Sequence, residues 1–234
     1  MAVAIVYPVP NKMPIVTGSL PGAIEMMRAV SLLAFISVLP AALLYAAPVA
    51  KGPVGDPAAG QSKSAVCATC HGGTGNSLAP EWPKLAGQHA AYLVKQLLDL
   101  KSGARKSPVM GPMAEPLGEA DIADLAAFYA GQSLELGAAD ADLVKTGERL
   151  YRAGNRERGL PACMACHGPA GTGNPAAGFP LLGGQHAAYT AIQLRAYRSG
   201  ERNNDRAAMM RQISSRITDA EIEAVSSYIQ GLYR

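Results

Sequence analysis

The sequence contains Cys67-Ala68-Thr69-Cys70-His71, and the same pattern returns 96 residues later as Cys163-Met164-Ala165-Cys166-His167. The chain has four cysteines, and these two segments hold all of them. On a helical turn, residues three apart lie on one face, so the two thiols of each segment project together beside the histidine. The two segments therefore decide how the rest of the chain is interpreted.

The Cys-x-x-Cys-His pattern is typical of covalent haem c attachment, in which the thiols add to the vinyl groups and the histidine binds the iron. We therefore predict two haem c groups joined by thioethers. The predicted anchoring cysteines and iron-binding histidines are Cys67, Cys70, His71, Cys163, Cys166 and His167.

Three other uses of paired cysteines fit less well. A thioredoxin-like dithiol needs a βαβ context, which the sequence lacks, and a zinc site normally gathers its cysteine pairs at closer spacing. Structural disulfides suit an oxidising compartment, but they give no reason for His71 and His167. Haem attachment explains all of these residues together.

The repeat extends beyond the cysteine segments. Residues 87–92 recur letter for letter as residues 184–189, and Ser102-Gly103-Ala104-Arg105 recurs as Ser199-Gly200-Glu201-Arg202. Self-similarity over this distance indicates that two homologous domains follow one another in the chain.

We predict a first domain over residues 48–135 and a second over residues 136–234, with a polar linker around residues 133–140. Each domain is predicted to be all-α. Its expected elements are a short helix running into the cysteines, a loop rich in Gly and Pro, a helix after Gly-Gln, a methionine loop and a final helix.

The final helix has the clearest pattern. In the second domain, Thr218 and Glu221 form a predicted capping box, and Ile222, Val225 and Ile229 recur on one face. The corresponding apolar face in the first domain consists of Ile122, Leu125 and Tyr129.

The sixth iron position is assigned to a methionine in each domain. Met110 and Met210 occupy the same place in the repeat, in the loop before the final helix. Met113 and Met209 compete with them, but neither has a methionine counterpart in the other half. Methionine ligation raises the reduction potential relative to a second histidine, so we expect fairly positive couples.

Three weaker pairs complete the candidate sites. His89 and His186 would be the ligands in an alternative bis-histidine arrangement, although a packing or hydrogen-bonding role is the simpler interpretation. The carbonyl groups near Pro80 and Pro175 are candidates to orient the iron-binding imidazoles. The arginines of the repeat are candidates to approach haem propionates, with a solvated surface role as the alternative; they are Arg105 and Arg202.

The N-terminal 47 residues are assigned to an extension and a signal peptide. Residues 29–50 carry no charge and follow Arg28, and Ala46 and Ala47 offer small residues for cleavage. Export would place the protein in the periplasm. The alternative is an uncleaved anchor with membrane association, and residues 1–25 are left out of the predicted fold.

The composition excludes other classes of protein. The chain is 49% hydrophobic and 17% charged, which is typical of a globular protein. Its net charge of +3 comes from scattered Lys and Arg residues, so we expect no nucleic-acid partner.

The chain resembles the cytochrome c4 family, in which two class I cytochrome c domains are fused. The resemblance covers nearly everything after residue 55. It lies in Val66-Cys67-x-x-Cys70-His71-Gly72, in Pro83-Lys84-Leu85-Ala86-Gly87-Gln88 and in the ending Ser226-Ser227-Tyr228-Ile229-Gln230-Gly231-Leu232. It implies two His/Met haems in domains related by a pseudo-twofold axis.

The expected function is electron transfer and not catalysis. The resemblance implies delivery of electrons toward a terminal oxidase, with redox proteins such as a quinol-oxidising complex as donor. An alternative is the electron-transfer subunit of a periplasmic dehydrogenase. A dihaem peroxidase is a third possibility, but it needs an accessible iron, and the matched methionines argue against it.

Overall fold

The first domain contributes five helices to the computed structural model, which describes residues 2–3 and 55–232 of the chain. A turn or loop separates each helix from the next. The helices are α1 (Pro57–Lys63), α2 (Ala65–His71), α3 (Ala90–Lys101), α4 (Met110–Ala114) and α5 (Glu119–Ala130).

The second domain repeats this order and adds a single 3-10 turn at Arg206–Ala208. The strand β1 (Ala2–Val3) pairs antiparallel with β2 (Ala139–Asp140), so two residues from the segment left out of the predicted fold pair with the linker. The predicted all-α class is confirmed. The helices of the second domain are α6 (Val144–Ala153), α7 (Met164–His167), α8 (Ala187–Ser199), α9 (Met209–Ser214) and α10 (Asp219–Gln230).

Helix α10 begins at the predicted capping box. The backbone N–H of Glu221 donates to Thr218 Oγ1 at 3.3 Å, and Glu221 Oε2 accepts from the backbone N–H of Thr218 at 3.0 Å. These bonds satisfy two donors that an uncapped helix would leave without partners. The apolar faces predicted for the two final helices are buried, at Ile122, Leu125, Tyr129, Ile222, Val225 and Ile229.

A glycine marks the place where the first and last long helices of each domain cross. A Cβ on Gly60 of α1 would lie 2.0 Å from the carbonyl oxygen of Asp124 in α5. A Cβ on Gly147 of α6 would lie 2.1 Å from the carbonyl oxygen of Ala224 in α10. The two backbones approach so closely at these crossings that no side chain fits between them.

Each domain has its own apolar core, and each core contacts the cysteine segment of that domain. In the first domain the core packs against Cys67, and its residues are Leu93, Leu125, Ala126, Phe128 and Tyr129. In the second domain the core packs against Cys163 and Met164 and includes Tyr151 and Tyr228, whose ring centroids are 5.4 Å apart. Packing on α5 and α10 therefore positions the cysteine segments.

The approach to the cysteines differs between the domains. In the first, only Ser64 separates α1 from α2, as the sequence predicted. In the second, residues 154–163 separate α6 from α7, so the prediction of a helix running into the cysteines is wrong there. This segment contains Gly154 and Pro161, which disfavour helix, and Asn155 and Leu160 exchange two backbone hydrogen bonds of 2.8 Å.

Two glutamines join the domains through hydrogen bonds from their side-chain amides to backbone groups of the opposite domain. The side chain of Gln88 donates to the carbonyl of Leu181 and accepts from its N–H, both at 2.9 Å. The side chain of Gln185 makes the same pair of bonds with Lys84, again at 2.9 Å. The exchange is reciprocal, as expected for domains related by a pseudo-twofold axis.

Arg202 also crosses the interface, and the surface role considered for it in the sequence is wrong. Its residue is only 6% exposed, and its guanidinium donates to Tyr92 Oη and Gln96 Oε1 of the first domain, both at 3.0 Å. Its counterpart Arg105 donates to Tyr189 Oη at 3.2 Å.

The predicted signal peptide lies outside the described residues. Of the extension that precedes it, only Ala2 and Val3 are described. Among residues 2–3 and 55–232, no helix has both the length and the apolar character needed to cross a bilayer.

Replacing Gln88 and Gln185 together by Ala should loosen the domain interface. Each change leaves a backbone N–H and a carbonyl of the other domain without a partner, which costs about 1–3 kcal/mol for each buried group. We expect denaturant unfolding, followed by circular dichroism and by Trp82 fluorescence, to begin at lower denaturant and to separate into two transitions. The exposed Gln61→Ala variant is the control, and a double variant that unfolds like this control would contradict the prediction.

Candidate haem-attachment sites

The first cysteine segment lies on a helix. Helix α2 carries Cys67 and Cys70 three residues apart and ends at His71, so the two thiols share one face. All four cysteines of the chain are partly buried, and none of them forms a disulfide. The disulfide interpretation therefore does not describe this structure.

Burial keeps the first thiol of each pair protonated. Loss of hydration raises the pKa of Cys67 above its usual value and raises that of Cys163 to about 11. Reactive thiols of dithiol oxidoreductases have lowered pKa values because the thiolate is the nucleophile. The two sites thus lack the electrostatics of a thioredoxin-like centre, and their free thiols are available to add to haem vinyl groups.

The histidines that follow the cysteines are buried and held in one orientation. His71 and His167 are 6% and 7% exposed, and burial lowers the pKa of each imidazole. Nδ1 of His71 lies 2.9 Å from the carbonyl oxygen of Pro83, and Nδ1 of His167 lies 3.1 Å from that of Pro180. A neutral imidazole that donates from Nδ1 has its Nε2 lone pair available for a metal ion.

These carbonyls correct the expectation that Pro80 and Pro175 orient the rings. Pro83 and Pro180 do so instead. The sequence did contain a signal, because each of these prolines lies five residues before the glutamine of the repeated Gly-Gln. Counting residues from each histidine did not identify these prolines, because the loop between the histidine and the proline is one residue longer in the second domain.

The two predicted methionine ligands occupy similar places in the structure. Met110 is the first residue of α4, and Met210 is the second residue of α9; both are partly buried. Their competitors Met113 and Met209 are exposed, at 39% and 36%. The structure thus distinguishes the matched pair from its neighbours by burial.

The backbone before Met210 is strained. Ala207 and Ala208 have φ values of +51° and +56°, in the left-handed region that is costly for residues with a Cβ. Val109, which precedes Met110, has an ordinary φ of −91°. The segment from the repeated serine to the methionine is three residues longer in the second domain, and the two left-handed residues lie within this longer segment.

The remaining two histidines lie at the domain interface. Nε2 of His89 is 2.8 Å from the carbonyl oxygen of Thr172, and Nε2 of His186 is 2.9 Å from the carbonyl oxygen of Ser77. Each histidine immediately precedes a helix, α3 or α8, and each contacts the loop that follows the cysteine segment of the other domain. Both rings therefore make hydrogen bonds between the domains.

Comparison with known proteins agrees with this arrangement. The model of the family described as "Cytochrome c" matches residues 58–131 and again residues 144–233, once in each half of the chain. The chain belongs to the cytochrome c family. The double match confirms the prediction of two cytochrome c domains.

Relatives that match most of the domain pair include cytochromes c4 and an electron acceptor of a dehydrogenase. Cytochrome c4 of Stutzerimonas stutzeri is 51% identical over 189 residues, which span 76% of this chain and 90% of that protein. The crystal structure of reduced cytochrome c4 from Pseudomonas stutzeri is similar with a TM-score of 0.75 and 50% identity, over 76% of this chain and all of the other. A thiosulfate dehydrogenase electron acceptor from Thiomonas intermedia is 39% identical over 80% of this chain and 85% of its own length.

Membership in the cytochrome c4 group establishes the cofactor and the class of function. The two Cys-x-x-Cys-His segments attach two haem c groups, and the protein is an electron carrier and not an enzyme. The apolar, partly buried thiols and the buried, oriented imidazoles fit this cofactor. Sequence reasoning missed Gln88, Gln185 and the two proline carbonyls, which position the cytochrome c domains and their histidines.

Replacing Ala207 by Gly should stabilise the protein by about 0.5–1 kcal/mol. The change removes a left-handed strain of about 1–2 kcal/mol and adds a smaller entropic cost in the unfolded chain. The exposed Ala176→Gly variant, at a position without positive φ, should instead lose about 0.4–1 kcal/mol. Denaturant unfolding of the dihaem proteins measures both changes, and a destabilised Ala207→Gly variant would show that position 207 is not strained in solution.

Proposed function

We propose that the chain is a periplasmic dihaem electron carrier with the same His/Met ligands in both domains. The observation that carries this proposal is the matched pair of buried imidazoles at His71 and His167. Each donates from Nδ1 to a proline carbonyl and makes no hydrogen bond through Nε2 within the described part of the chain. Each ring is therefore preorganised to bind iron through Nε2.

Covalent attachment is assigned to the four cysteines. Cys67 and Cys70 would hold the first haem, and Cys163 and Cys166 the second. The domain cores pack directly against Cys67 and Cys163, so each attachment point is fixed by α5 or α10. A rigid attachment limits rearrangement when the iron changes its oxidation state.

The sixth ligands are assigned to Met110 and Met210. Their partial burial at the start of α4 and α9 supports this choice over the exposed Met113 and Met209. The bis-histidine alternative is less well supported, because the only other histidines, His89 and His186, direct Nε2 to carbonyl oxygens of the opposite domain.

Haem iron supplies a one-electron couple, and two axial side chains leave no open position for substrate. The chain contributes orientation of the imidazoles, burial of the thioethers and fixed packing of the two domains. This combination suits electron transfer better than peroxidase chemistry, which needs an open iron and nearby acid-base groups.

Replacing Met110 or Met210 by Leu tests the ligand assignment. Each variant should lose about half of the near-infrared Met-to-iron absorbance of the oxidised protein and convert one haem to a high-spin form with a lower potential. A spectroelectrochemical titration that follows the α-band and the near-infrared band together measures both effects.

The neighbouring methionines provide matched controls. Met113→Leu and Met209→Leu should keep the full near-infrared band and two low-spin couples of positive potential. Loss of the band in a control, or its retention in Met110→Leu or Met210→Leu, would contradict the assignment.

For the direction of transfer, we propose a quinol-oxidising complex as donor and a terminal oxidase as acceptor, after export to the periplasm through the segment before residue 48. The second candidate is an acceptor for a dehydrogenase, which the similarity to the Thiomonas intermedia protein favours. Stopped-flow reduction of the oxidised protein distinguishes them. Rapid reduction by a thiosulfate dehydrogenase with thiosulfate, but not by a quinol-oxidising complex with quinol, would replace the first candidate by the second.

A further inference from the structure

The loop that follows the first cysteine segment exposes two large apolar side chains. Leu78 is 94% exposed, the highest value for a large apolar residue in the described part of the chain, and Trp82 is 42% exposed. The loop is closed on itself, because Ser77 Oγ donates to the carbonyl of Trp82 at 2.7 Å. Leu78 and Trp82 therefore lie close together, within the six residues 77–82.

The linker between the domains adds a third exposed apolar side chain. Asn76, before the loop, accepts from the N–H of Glu135 at 2.9 Å, and Lys84, after the loop, donates from Nζ to the carbonyl of Glu135 at 2.5 Å. Both ends of the loop thus hold one linker residue, and Leu136, which follows it, is 54% exposed. A single exposed apolar residue is ordinary, but a group of them indicates an interaction site. We call this group the loop–linker surface; it consists of Leu78, Trp82 and Leu136.

The charges beside this surface are negative. Glu81 is the charged residue of the loop, Glu135 is that of residues 133–136, and both are exposed. The nearby Lys84 is only 8% exposed, and its ammonium group is directed at the carbonyl of Glu135. An apolar surface flanked by carboxylates complements a protein whose contact face is apolar at the centre and basic at the rim.

Trp82 also connects the loop–linker surface to the imidazole of the first site. A peptide bond joins Trp82 to Pro83, whose carbonyl oxygen lies 2.9 Å from Nδ1 of His71. Hydrogen-bond partners of this kind act on a metal through its ligand. A continuous path of covalent bonds and one hydrogen bond therefore leads from an exposed indole to the ring proposed to bind the first iron.

The corresponding loop of the second domain is different. Pro175 occupies the place of Leu78, and the loop carries no charged residue. Phe179, the counterpart of Trp82, has its ring centroid 6.0 Å from that of His167 and is partly buried. The exposed apolar loop with an acidic flank therefore belongs to the first domain and is not part of the repeat.

We propose that the loop–linker surface docks a redox protein with an apolar contact face and a basic rim, which exchanges one electron with the first haem through Trp82 and Pro83. The reduced partner loses one electron and the ferric haem gains it, or the ferrous haem reduces the oxidised partner, and no bond forms or breaks. This inference deepens the proposed function and rests on it, because it requires His71 to bind the first iron.

Protein-film voltammetry of the intact dihaem protein tests the proposal. The probe is a gold electrode with a mixed monolayer of methyl- and ammonium-terminated alkanethiols, which presents the chemistry expected of the partner. Wild type should adsorb and exchange electrons with this monolayer. Leu78→Ser and Trp82→Ser should each lower the adsorption constant about tenfold, because each removes apolar area from the contact. A wild type without a voltammetric wave, or variants that adsorb like wild type, would overturn the proposal.

The rate of electron exchange at equal coverage tests the path. Trp82→Ser should be slower than wild type because Trp82 lies between the surface and His71, whereas Leu78→Ser should match wild type once adsorbed. Trp82→Phe keeps an aromatic ring and should recover most of the rate. A Trp82→Ser variant that exchanges electrons as fast as wild type would reject the path through Trp82.

The acidic flank has its own readout. Glu81→Gln and Glu135→Gln should weaken adsorption to the mixed monolayer, because each removes an attraction to its ammonium groups. Both variants should adsorb like wild type to a monolayer that carries methyl groups alone. Equal adsorption of the variants and wild type to the mixed monolayer would contradict a partner with a basic rim.

Exposed apolar residues elsewhere provide the controls. Ile192→Ser removes a side chain that is 42% exposed on α8, and it should behave like wild type. Val109→Ser changes a residue that is 62% exposed beside Met110, and it should also adsorb normally. Weak adsorption of Val109→Ser together with normal adsorption of Leu78→Ser would place the docking site beside the methionine and overturn the proposal.

A lipid bilayer is the other possible occupant of an exposed leucine and tryptophan. The carboxylates of Glu81 and Glu135 disfavour an anionic membrane surface. Wild type should therefore not sediment with vesicles of phosphatidylethanolamine and phosphatidylglycerol. Sedimentation that is lost in Trp82→Ser would show that a membrane occupies the surface, and the protein partner would be rejected.

Reduction by hexaammineruthenium(II) in stopped flow separates docking from damage to the haem, because this small complex needs no apolar surface. Leu78→Ser and Trp82→Ser should be reduced at the wild-type rate. If they are, and if they also adsorb to the mixed monolayer like wild type, the inference fails while the electron-carrier assignment stands. Failure of the proposed methionine ligands would instead appear as loss of the near-infrared band in wild type.

Discussion

The domain interface depends on side-chain amides that bind backbone groups of the opposite domain. Gln88 uses both its donor and its acceptor on Leu181, and Gln185 does the same on Lys84. Because each amide both donates and accepts, a shift of one domain along the other would break two hydrogen bonds at each glutamine. The reciprocal pair therefore fixes the register of the two domains.

Other interface contacts follow from this register. Each glutamine is followed by a histidine whose ring reaches the opposite loop, and then by helix α3 or α8. These helices carry the tyrosines and glutamines that meet Arg105 and Arg202. Buried polar groups of this kind are satisfied only when the domains are docked correctly, so they specify one arrangement more than they add stability. A fixed arrangement suits an electron carrier that holds two redox cofactors.

The sequence predicted the parts of the fold that local rules control. The capping box at Thr218, the buried faces of α5 and α10 and the repeat itself depend on neighbours within a few residues or on direct identity between the halves. The cysteine segments could also be predicted from local sequence, because five consecutive residues supply both the thiols and the histidine for haem attachment. The site predictions that depend on loops were less successful, since the carbonyls of Pro83 and Pro180 orient the histidines and those near Pro80 and Pro175 do not.

The interface could not be predicted in this way because it depends on contacts about 100 residues apart. Nothing local to Gln88 shows that its amide will bind Leu181, and nothing local to Arg202 shows that it will be buried. The exact repeat of Gly-Gln-His-Ala-Ala-Tyr was nevertheless a usable signal. In a two-domain protein with pseudo-twofold symmetry, a polar segment repeated without change is a good candidate for the surface at which the domains meet.

The same symmetry makes the differences between the domains informative. Phe179 packs beside His167, with ring centroids 6.0 Å apart, whereas Trp82, at the corresponding place before Pro83, is 42% exposed. The second domain also has the additional loop at residues 154–163 and the strained path to Met210. Burial, hydrogen bonding and charge around a haem set its potential even when the axial ligands are the same. With the matched ligands proposed for the two domains, these unequal surroundings would give the two haems different potentials.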